Sequence, residues 1–459
     1  MSQNDWQALE KKLFLQTIKR VPVTLVRGKG ARVWDDRGRE YLDFVAGWAT
    51  DSLGHCPPIV VKALEKQART LMHTSTQFYT VPQLELARLL VKHSCLDRVF
   101  FCNSGAEANE GAVKLARRYG KLRLNGAYEV ITAHNSFHGR TLAMTAATGQ
   151  SKFQEPYTPL PVGFVNVEYN NIEAIKRATS EKTCAVLLEP IQAEGGVNIP
   201  DDDYLRKVQS WCREKGILFI LDEVQTGAGR TGTLFAYEQY GVEPDIMALA
   251  KGIGSGVPIG AFLAKEECSV FSPGEHGSTY GGNPLVCAAA HAALKYQIDH
   301  NIPAQAKRVG NYFLIKLQGL KQQFDFITDV RGRGLLIALE FNQEIGDKLQ
   351  LACLDRGLLV NRLKPNAVRF MPPLIITEKE VDKVIGILKD VLGEVGSAEV
   401  KSENAKLPVP VCAGVYFTRR GFSVPCEGRR PKQGFIGGVL GWRFAVNWDN
   451  ILFVDRITR

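Results

Sequence analysis

A lysine and an aspartate of this chain each follow directly on an apolar run of the kind that forms a buried strand. Lys251 comes after residues 246–250 and before the glycine-rich stretch 252–256. An amine held among apolar residues loses solvation, which lowers its pKa and makes it nucleophilic. Asp222 follows the apolar run 217–221 in the same way. The two positions can supply a reactive amine and a buried anion.

A third group, the stretch NSGAEANE at residues 103–110, has the pattern of a helix start. Ser104 and Glu107 have the spacing of a capping box. Gly105 and Ala106 leave the backbone N–H groups of the first turn accessible, and a helix N-terminus readily binds phosphate. Taken alone, the stretch is more simply read as an ordinary helix cap.

Each feature by itself has a common structural explanation. A lone loop lysine is usually solvated, and an acid at a strand end can cap a helix, bind a metal or pair with a base. Together, however, the three features meet the requirements of pyridoxal 5'-phosphate. Lys251 can form the Schiff base, the helix N-terminus can hold the phosphate, and Asp222 can pair with the pyridinium nitrogen. The combination therefore predicts a site for this cofactor.

The elements that must position these groups alternate along the middle of the chain. Short apolar runs, each followed by polar or glycine-rich residues, occur at 99–101, 130–132, 185–188, 218–221 and 246–250. Continuous apolar strands that alternate with helical patterns indicate an α/β fold with a parallel sheet covered on both faces. Ligands bind at the carboxyl ends of such strands. The polar clusters all lie at that end, so the sheet is expected to bring them together.

The sequence divides into four regions. Residues 60–298 carry the alternating pattern and form the large cofactor-binding domain, whereas 299–395 read as a smaller α+β domain. Residues 1–59 contain a hairpin pattern with its turn near Asp36 and are expected to join the smaller domain. Residues 396–459 form a basic extension for which the sequence indicates no role.

Composition restricts the class of protein. The chain of 459 residues is 45% apolar and 23% charged, as in soluble globular proteins. Residues 401–459 hold ten Lys and Arg against four Asp and Glu, so +6 of the net charge of +9 lies there. The rest of the chain is close to neutral, and we therefore do not expect nucleic acid as a partner. The ten cysteines lack metal-binding spacing, and no stretch suits a signal peptide or a membrane span. We expect a cytoplasmic protein that binds neither a metal nor a membrane.

Residues from about 10 to 395 resemble the class III, fold-type I, pyridoxal-phosphate-dependent aminotransferases. The resemblance rests on segments in the family's order: YLDFVAGWATDSLGH, FCNSGAEANEGAVKLAR, NSFHGRTLAMTAATGQ, LLEPIQAEGGV, LDEVQTGAGRTG, ALAKGIGSGVPIGA, HGSTYGGNPLVCAAA and VRFMPPLIIT. It implies a large domain whose mixed, mostly parallel seven-stranded sheet lies between helices, together with a smaller α+β domain. It also implies a homodimer whose subunits share each active site.

The resemblance assigns roles around the cofactor ring. Lys251 is implied to be the lysine bonded to the cofactor and the proton carrier, and Asp222 to hold the pyridinium. Gln225 is implied to hydrogen-bond the phenolic oxygen. Val224 and Phe137 are implied to pack on opposite faces of the ring.

The resemblance also implies how the phosphate is held. Ser104, Gly105 and Ala106 are the residues of the implied phosphate site, with Gly105 and Ala106 acting through their backbone. Thr279, a cofactor contact, and Ser278, a substrate contact, are implied to reach in from the second subunit.

Three charged residues fit the substrates of a transaminase, which are anionic in both halves of the reaction. Arg369 lies within an apolar strand pattern, where an unpaired charge is costly, and is implied to bind the α-carboxylate of glutamate. Glu194 is implied to neutralise Arg369 when the donor reacts through its distal amine. Arg140 is implied to bind the donor's carboxylate, although a structural ion pair is an equal reading. A solvated loop carboxylate remains an alternative reading of Glu194, and His138 is read as a structural hydrogen-bonding residue.

Within the family, the motifs favour the branch that acts on acetylornithine. The reaction implied is transfer of the distal amine of N2-acetyl-L-ornithine to 2-oxoglutarate, giving N-acetyl-L-glutamate 5-semialdehyde and L-glutamate, a step of arginine biosynthesis. Trp48 and Asp51 depart from that branch's usual residues and could reshape the donor pocket. Ornithine, succinylornithine, 4-aminobutyrate and N-succinyl-diaminopimelate remain alternative donors.

Two other classes of function are weaker readings. A pyridoxal-phosphate aminomutase or decarboxylase would not require both Arg369 and Glu194. A nucleotide or nucleic-acid binder would require a phosphate loop of another spacing than the glycines here provide.

Overall fold

The computed structural model describes residues 5–404, 445–447 and 450–452. The chain divides into two compact units, Met1–Lys401 and Ser402–Arg459. In the second unit the structure describes a pair of antiparallel strands, Ala445–Asn447 and Asn450–Leu452. The remainder of the basic extension, including most of the region predicted as 396–459, lies outside the described residues.

The N-terminal part forms a helix, an antiparallel sheet and a single unusual turn. Its elements are α1 (Trp6–Leu13), β1 (Leu25–Lys29), β2 (Arg32–Asp35), β3 (Glu40–Asp43) and the turn α2 (Ala46–Ala49). Strands β2 and β3 pair antiparallel, as the hairpin pattern predicts. The turn α2 is left-handed, because all four of its residues have φ between +48° and +67°. Such a conformation is costly for Ala and Trp, so the surrounding structure must hold it.

The middle of the chain alternates helices and strands. It comprises α3 (Pro58–Ala68), α4 (Val81–Lys92), β4 (Arg98–Cys102), α5 (Gly105–Arg123), β5 (Glu129–Ala133), α6 (Leu142–Ala147), α7 (Ser151–Gln154), β6 (Phe164–Val167), α8 (Ile172–Ala178), β7 (Thr183–Leu188), α9 (Tyr204–Lys215), β8 (Leu218–Asp222), α10 (Tyr237–Tyr240), β9 (Ile246–Leu249), β10 (Gly260–Ala264) and α11 (Pro284–Asp299). Short 3-10 turns cover Glu155–Tyr157, Lys251–Ile253 and Glu266–Cys268.

Seven of these strands form one sheet, in the order β4-β10-β9-β8-β7-β5-β6. The pairs from β9 through β6 are parallel, whereas β10 runs antiparallel to both of its neighbours. Strands β7, β8, β9 and β10 are buried along their whole length, since helices cover both faces. The predicted fold class, a mixed and mostly parallel sheet between helices, is confirmed.

The last part of the first unit forms a smaller α+β layer. Its elements are α12 (Ile302–Lys321), β11 (Ile327–Arg333), β12 (Leu336–Phe341), α13 (Gly346–Asp355), β13 (Leu358–Leu359), β14 (Asn361–Lys364), β15 (Ala367–Phe370) and α14 (Glu378–Asn404). Strands β11, β12, β15 and β14 make an antiparallel sheet, while β13 pairs parallel with β3 of the N-terminal part. The last helix continues beyond position 395 to Asn404, because residues 396–404 contain no proline to stop it.

Candidate active site

The carboxyl ends of the central strands bring the predicted residues together. Asp222 is the last residue of β8, and Lys251 follows β9 by two positions. The start of α5 lies beside them: Asn109 donates a hydrogen bond to Asp222 Oδ2 over 2.7 Å. A Cβ on Gly105 would lie only 2.6 Å from Val224 Cγ1. The lysine, the carboxylate and the helix N-terminus therefore share one site.

Asp222 is a buried carboxylate with donors on both of its oxygens. Its side chain is 3% exposed. Oδ2 accepts from Asn109 Nδ2 and lies 2.8 Å from His138 Nδ1, and Oδ1 accepts from the Val224 backbone N–H at 3.0 Å. Donors aimed at both oxygens stabilise the ionised form and fix its orientation. The Asp222 carboxyl group is thus held in a fixed orientation inside the protein.

His138 lies where a structural hydrogen-bonding residue would lie, beside Asp222. Its ring nitrogen Nδ1 faces Asp222, and Asn109 Nδ2 also donates to the His138 carbonyl oxygen at 2.9 Å. The opposite ring nitrogen, Nε2, is buried and has no partner among the described residues. The contact with Nδ1 helps to orient the Asp222 carboxyl group.

Lys251 is a partly buried residue whose amine is less readily protonated than that of a free lysine. Burial and, after it, the nearby Arg369 lower the pKa of its ammonium to about 8, against the opposing effect of Asp222 and Glu194. The backbone of Lys251 is left-handed, with φ of +46°. Neighbouring residues hold this strained turn, since Ser52 Oγ donates to the Gly252 carbonyl oxygen at 2.8 Å. A neutral amine close to neutral pH is the form that attacks a carbonyl carbon.

The first turn of α5 has the capping geometry that the sequence predicts. Ser104 Oγ accepts from the Glu107 backbone N–H at 3.3 Å, and Glu107 Oε2 accepts from the Asn103 N–H at 2.7 Å. The N–H groups of Gly105 and Ala106 belong to the first turn, where no intrahelical partner exists. Val224 packs closely against this turn, because a Cβ on Gly105 would lie 2.6 Å from Val224 Cγ1.

Arg369 is an almost fully buried arginine surrounded by acceptors. It is 1% exposed. Its Nη1 donates to the Ala193 carbonyl oxygen at 2.8 Å and to Gln225 Oε1 at 3.0 Å, and its Nη2 donates to Asn361 Oδ1 at 2.9 Å. Nη2 also pairs with Glu194 Oε2 at 2.8 Å. The guanidinium is therefore fixed in position by several bonds that do not depend on Glu194.

Glu194 forms an ion pair with Arg369 but remains partly exposed to solvent. Its side chain is 38% exposed. Burial by itself would raise the pKa of this carboxyl, but the Arg369 guanidinium outweighs burial and holds the pKa below its usual value. The Glu194 carboxylate thus pairs with the buried guanidinium from a partly exposed position.

Arg140 lies at the open side of the site, against aromatic rings. Its guanidinium carbon is 4.0 Å from the Phe153 ring centroid and 5.2 Å from that of Phe137. No acid in residues 5–395 pairs with it, so the structural ion pair considered from the sequence is not present in this part of the chain. Phe137 itself is held by its backbone N–H, which donates to Glu189 Oε2 at 3.0 Å.

Ser278 and Thr279 differ in their placement. Ser278 Oγ accepts from Asn103 Nδ2 at 3.2 Å and from the Gly281 N–H at 3.0 Å, so it lies beside the capped helix of its own chain. Thr279 is exposed and makes no hydrogen bond with a residue of the described chain. Trp48, at the left-handed turn α2, is half exposed.

The sequence reading missed two buried polar residues of the site. Glu189 directly follows β7 and is buried; burial and then the neighbouring Asp222 raise its pKa well above the usual value. Asn109 lies one turn into α5, where an amide reads as an ordinary helix residue. The position of Glu189 at a strand end is the same signal that identified Asp222, whereas no sequence signal identifies Asn109.

The arrangement fits pyridoxal phosphate and does not suggest a metal centre. A buried carboxylate, a partly buried amine of lowered pKa and the N-terminus of a helix beside them are the groups that this cofactor needs. Among the described residues no three His, Cys, Asp or Glu side chains are grouped so that they could hold a metal ion. No helix in that part of the chain is long and apolar enough to span a membrane.

Residues 15–392 match the family described as aminotransferase class III, and the chain belongs to this family of pyridoxal-phosphate-dependent enzymes. The acetylornithine aminotransferase of Caldanaerobacter subterraneus subsp. tengcongensis is 50% identical over 387 residues, which cover 84% of this chain and 98% of that protein.

Solved structures agree with the assignment. An acetylornithine aminotransferase from Elizabethkingia anophelis is similar with a TM-score of 0.76 at 36% identity, covering 84% of this chain and 98% of that one. An ornithine aminotransferase from Toxoplasma gondii, whose active site holds pyridoxal phosphate at partial occupancy, gives a TM-score of 0.82 at 35% identity, covering 86% and 96%.

Proposed function

We propose that the protein transfers the distal amine of N2-acetyl-L-ornithine to 2-oxoglutarate, giving N-acetyl-L-glutamate 5-semialdehyde and L-glutamate, as a step of arginine biosynthesis. The donor assignment is supported by the 50% identity to an acetylornithine aminotransferase over most of both chains. The observation that carries the two-substrate scheme is the Arg369–Glu194 pair, a buried cation with a partly exposed anion near the reactive lysine.

The bound cofactor supplies an aldehyde that stores the amino group between the two half-reactions and a ring that accepts electrons. Lys251 is the residue proposed to bond to it and to move a proton at Nζ, since its lowered pKa keeps a useful fraction of neutral amine. Asp222 is proposed to hold the proton of the ring nitrogen, because hydrogen bonds from Asn109, His138 and Val224 fix the orientation of its carboxyl group.

Further residues are proposed to hold the cofactor in place. Val224 and Phe137 would pack on the faces of the ring, and Gln225 would hydrogen-bond its phenolic oxygen. Ser104, Gly105 and Ala106 would bind the phosphate at the start of α5, where a Cβ on Gly105 has no room.

Arg369 and Glu194 are proposed to distinguish the two amino substrates. Acetylornithine reacts through an amine that has no neighbouring carboxylate, so Glu194 remains on Arg369 and neutralises it. Glutamate brings an α-carboxylate that replaces Glu194, which is exposed enough to move aside. Arg140, free of an acidic partner in the described chain, would bind the donor's own carboxylate.

The active assembly is proposed to be a cytoplasmic homodimer. Thr279 is exposed in the single chain, and it would contact the cofactor of the second subunit, with Ser278 near the substrate. Sedimentation of the purified protein as a monomer with full activity would refute this assembly.

A half-reaction screen tests the proposed donor. The purified protein loaded with pyridoxal phosphate is mixed with acetylornithine, ornithine, 4-aminobutyrate or N-succinyl-diaminopimelate, and the loss of aldehyde absorbance is followed. We expect acetylornithine to give a far higher kcat/KM than ornithine. A preference for ornithine would refute the donor and would direct attention to Trp48, which is exposed at the edge of the site region.

A further inference from the structure

Glu189 is a buried carboxyl group that joins two segments of the site. It directly follows β7, which pairs with β5, so the segments after these two strands are neighbours. Its Oε2 accepts from the Phe137 backbone N–H at 3.0 Å, and its Oε1 accepts from the Ala193 N–H at 3.3 Å. Phe137 lies in the segment after β5, and Ala193 directly precedes Glu194. One side chain therefore ties the residue proposed to pack on the ring to the loop that carries the Glu194 carboxylate.

The residue that precedes Glu194 is held on both of its sides. The Ala193 N–H donates to Glu189, and the Ala193 carbonyl oxygen accepts from Arg369 Nη1 at 2.8 Å. The backbone of Glu189 is itself fixed, since the Tyr169 hydroxyl donates to the Glu189 carbonyl oxygen at 3.0 Å. A chain of hydrogen bonds thus leads from the segment after β5, through the Glu189 carboxyl group, to the guanidinium proposed to bind the α-carboxylate of glutamate.

The Glu189 carboxyl group also lies within range of the charges that take part in the chemistry. Burial has the largest effect on its pKa and raises it well above the usual value; Asp222 adds to this rise, whereas the N–H groups of its two backbone partners and the charge of Lys251 oppose it. Glu189 is therefore close to both Asp222 and Lys251, without a hydrogen bond to either in the described part of the chain.

Glu223 shows how a buried carboxyl group with a purely structural role is arranged at the end of the neighbouring strand, β8. It also accepts from two backbone N–H groups, those of Ala236 and Tyr237, both at 2.7 Å. These two residues belong to one segment, the start of α10, so Glu223 holds a single turn in place. Glu189 instead bridges two separate segments, each of which carries a residue of the proposed site.

We propose that Glu189 is a positioning residue of the transamination site, which holds Phe137 and the Ala193–Glu194 segment in a fixed relation to each other. This inference rests on the proposed function, because it takes Phe137 and Glu194 in the roles assigned there. Reacting groups must be held close to the productive geometry, and a small displacement slows the chemistry. Loosening the link should therefore reduce the rate at saturating substrate more than it weakens substrate binding.

The test compares Glu189→Gln with Glu223→Gln in the cofactor-loaded enzyme. The amide keeps the size of the side chain, but its NH2 group cannot accept, so either the Phe137 N–H or the Ala193 N–H loses its acceptor.

In Glu189→Gln we expect the saturating rate of each half-reaction to fall about tenfold, with little change in the substrate concentration that gives half of that rate. The visible circular dichroism of the bound cofactor should weaken as well, because the ring is held less firmly. Glu223→Gln should lower the melting temperature and change neither the rates nor the circular dichroism. Equal behaviour of the two variants would overturn the proposal. Should Glu189→Gln not fold, Glu189→Asp, which keeps the charge and shortens the reach by one methylene, serves for the same comparison.

Double variants identify the residue through which Glu189 acts. If Glu189 positions Phe137, then Phe137→Leu already removes what it supports, and the double variant should be little slower than the slower single variant. The same comparison with Glu194→Gln, in the glutamate half-reaction, tests the other segment. We expect coupling in at least one comparison, since the amide frees one N–H group, and losses that multiply in both would overturn the positioning role. Failure of the unchanged enzyme to react with acetylornithine would instead overturn the proposed donor, because glutamate alone suffices for these comparisons.

Discussion

Replacement of Asp222 by asparagine removes one negative charge from the buried end of the site and changes little else. The amide is nearly the same size as the carboxylate, and its oxygen can still accept from His138 or from the Val224 N–H. Its nitrogen, however, meets a donor in either orientation: Asn109 Nδ2 at the position of Oδ2, or the Val224 N–H at the position of Oδ1. The variant therefore separates the effect of charge from the effect of packing.

The expected loss of activity follows from the burial of Asp222, which is proposed to pair with the protonated ring nitrogen of the cofactor. Removing one partner of a buried ion pair costs about 3–5 kcal/mol. Since each 1.4 kcal/mol of barrier is about a factor of ten in rate, the half-reaction should slow by about two to four orders of magnitude. The assay is stopped-flow absorbance of a single half-reaction with acetylornithine, so that product release does not limit the rate.

Glu223, the next residue, is the matched control. It is also a buried carboxylate at the end of β8, and burial raises its pKa to about 7. Its oxygens, however, accept from the backbone N–H groups of Ala236 and Tyr237, both at 2.7 Å, and no contact joins it to Lys251. Glu223→Gln should lower the melting temperature and leave the half-reaction nearly unchanged. Near-normal rates in Asp222→Asn, or equal losses in both variants, would refute the assigned role of Asp222.

Three further predictions concern the other groups of the site. Arg369→Ala should reduce kcat/KM for glutamate by about two orders of magnitude, since hydrogen bonds to charged groups are worth about 1.5–3 kcal/mol each, and should damage the acetylornithine half-reaction less; equal damage to both halves would count against the scheme. The rate at which cofactor-free protein takes up pyridoxal phosphate should rise with pH and level off above about 8. The reason is that burial lowers the pKa of Lys251 to about 8 and the neutral amine is the reactive form. A rate that continues to rise towards pH 10 would contradict the lowered pKa of Lys251. Gly105→Ala should weaken cofactor binding by roughly tenfold, since overpacking by one methyl group costs about 1–3 kcal/mol. The new Cβ would lie 2.6 Å from Val224 Cγ1. Unchanged affinity in equilibrium dialysis would show that the site is not closely packed there.

The positions of Lys251 and Asp222 could be predicted because each ends a continuous apolar run, and the ends of neighbouring parallel strands meet. The helix cap at Ser104 could also be predicted, because the capping pattern involves only neighbouring residues, and the structure contains the expected hydrogen bond. Strand β10, residues Gly260–Ala264, was not foreseen as a separate strand that inserts antiparallel between β4 and β9, because its pairing is set by the sheet and not by its own sequence.

Other features depend on contacts between distant segments and leave no local signal. The left-handed turn at Ala46–Ala49 contains a single glycine, so the conformation is imposed by packing. The ion pair of Arg369 with Glu194 joins residues 175 positions apart. Asn109 contacts Asp222 from a helix that precedes it by more than 100 residues.

Borohydride reduction followed by peptide mass spectrometry tests the central claim most directly. Protein incubated with pyridoxal phosphate and reduced should carry one phosphopyridoxyl group, on the peptide that contains Lys251, and Lys251→Ala should carry none while still binding the cofactor reversibly. An adduct on another lysine, or a reduced protein without any adduct, would contradict the account of this site.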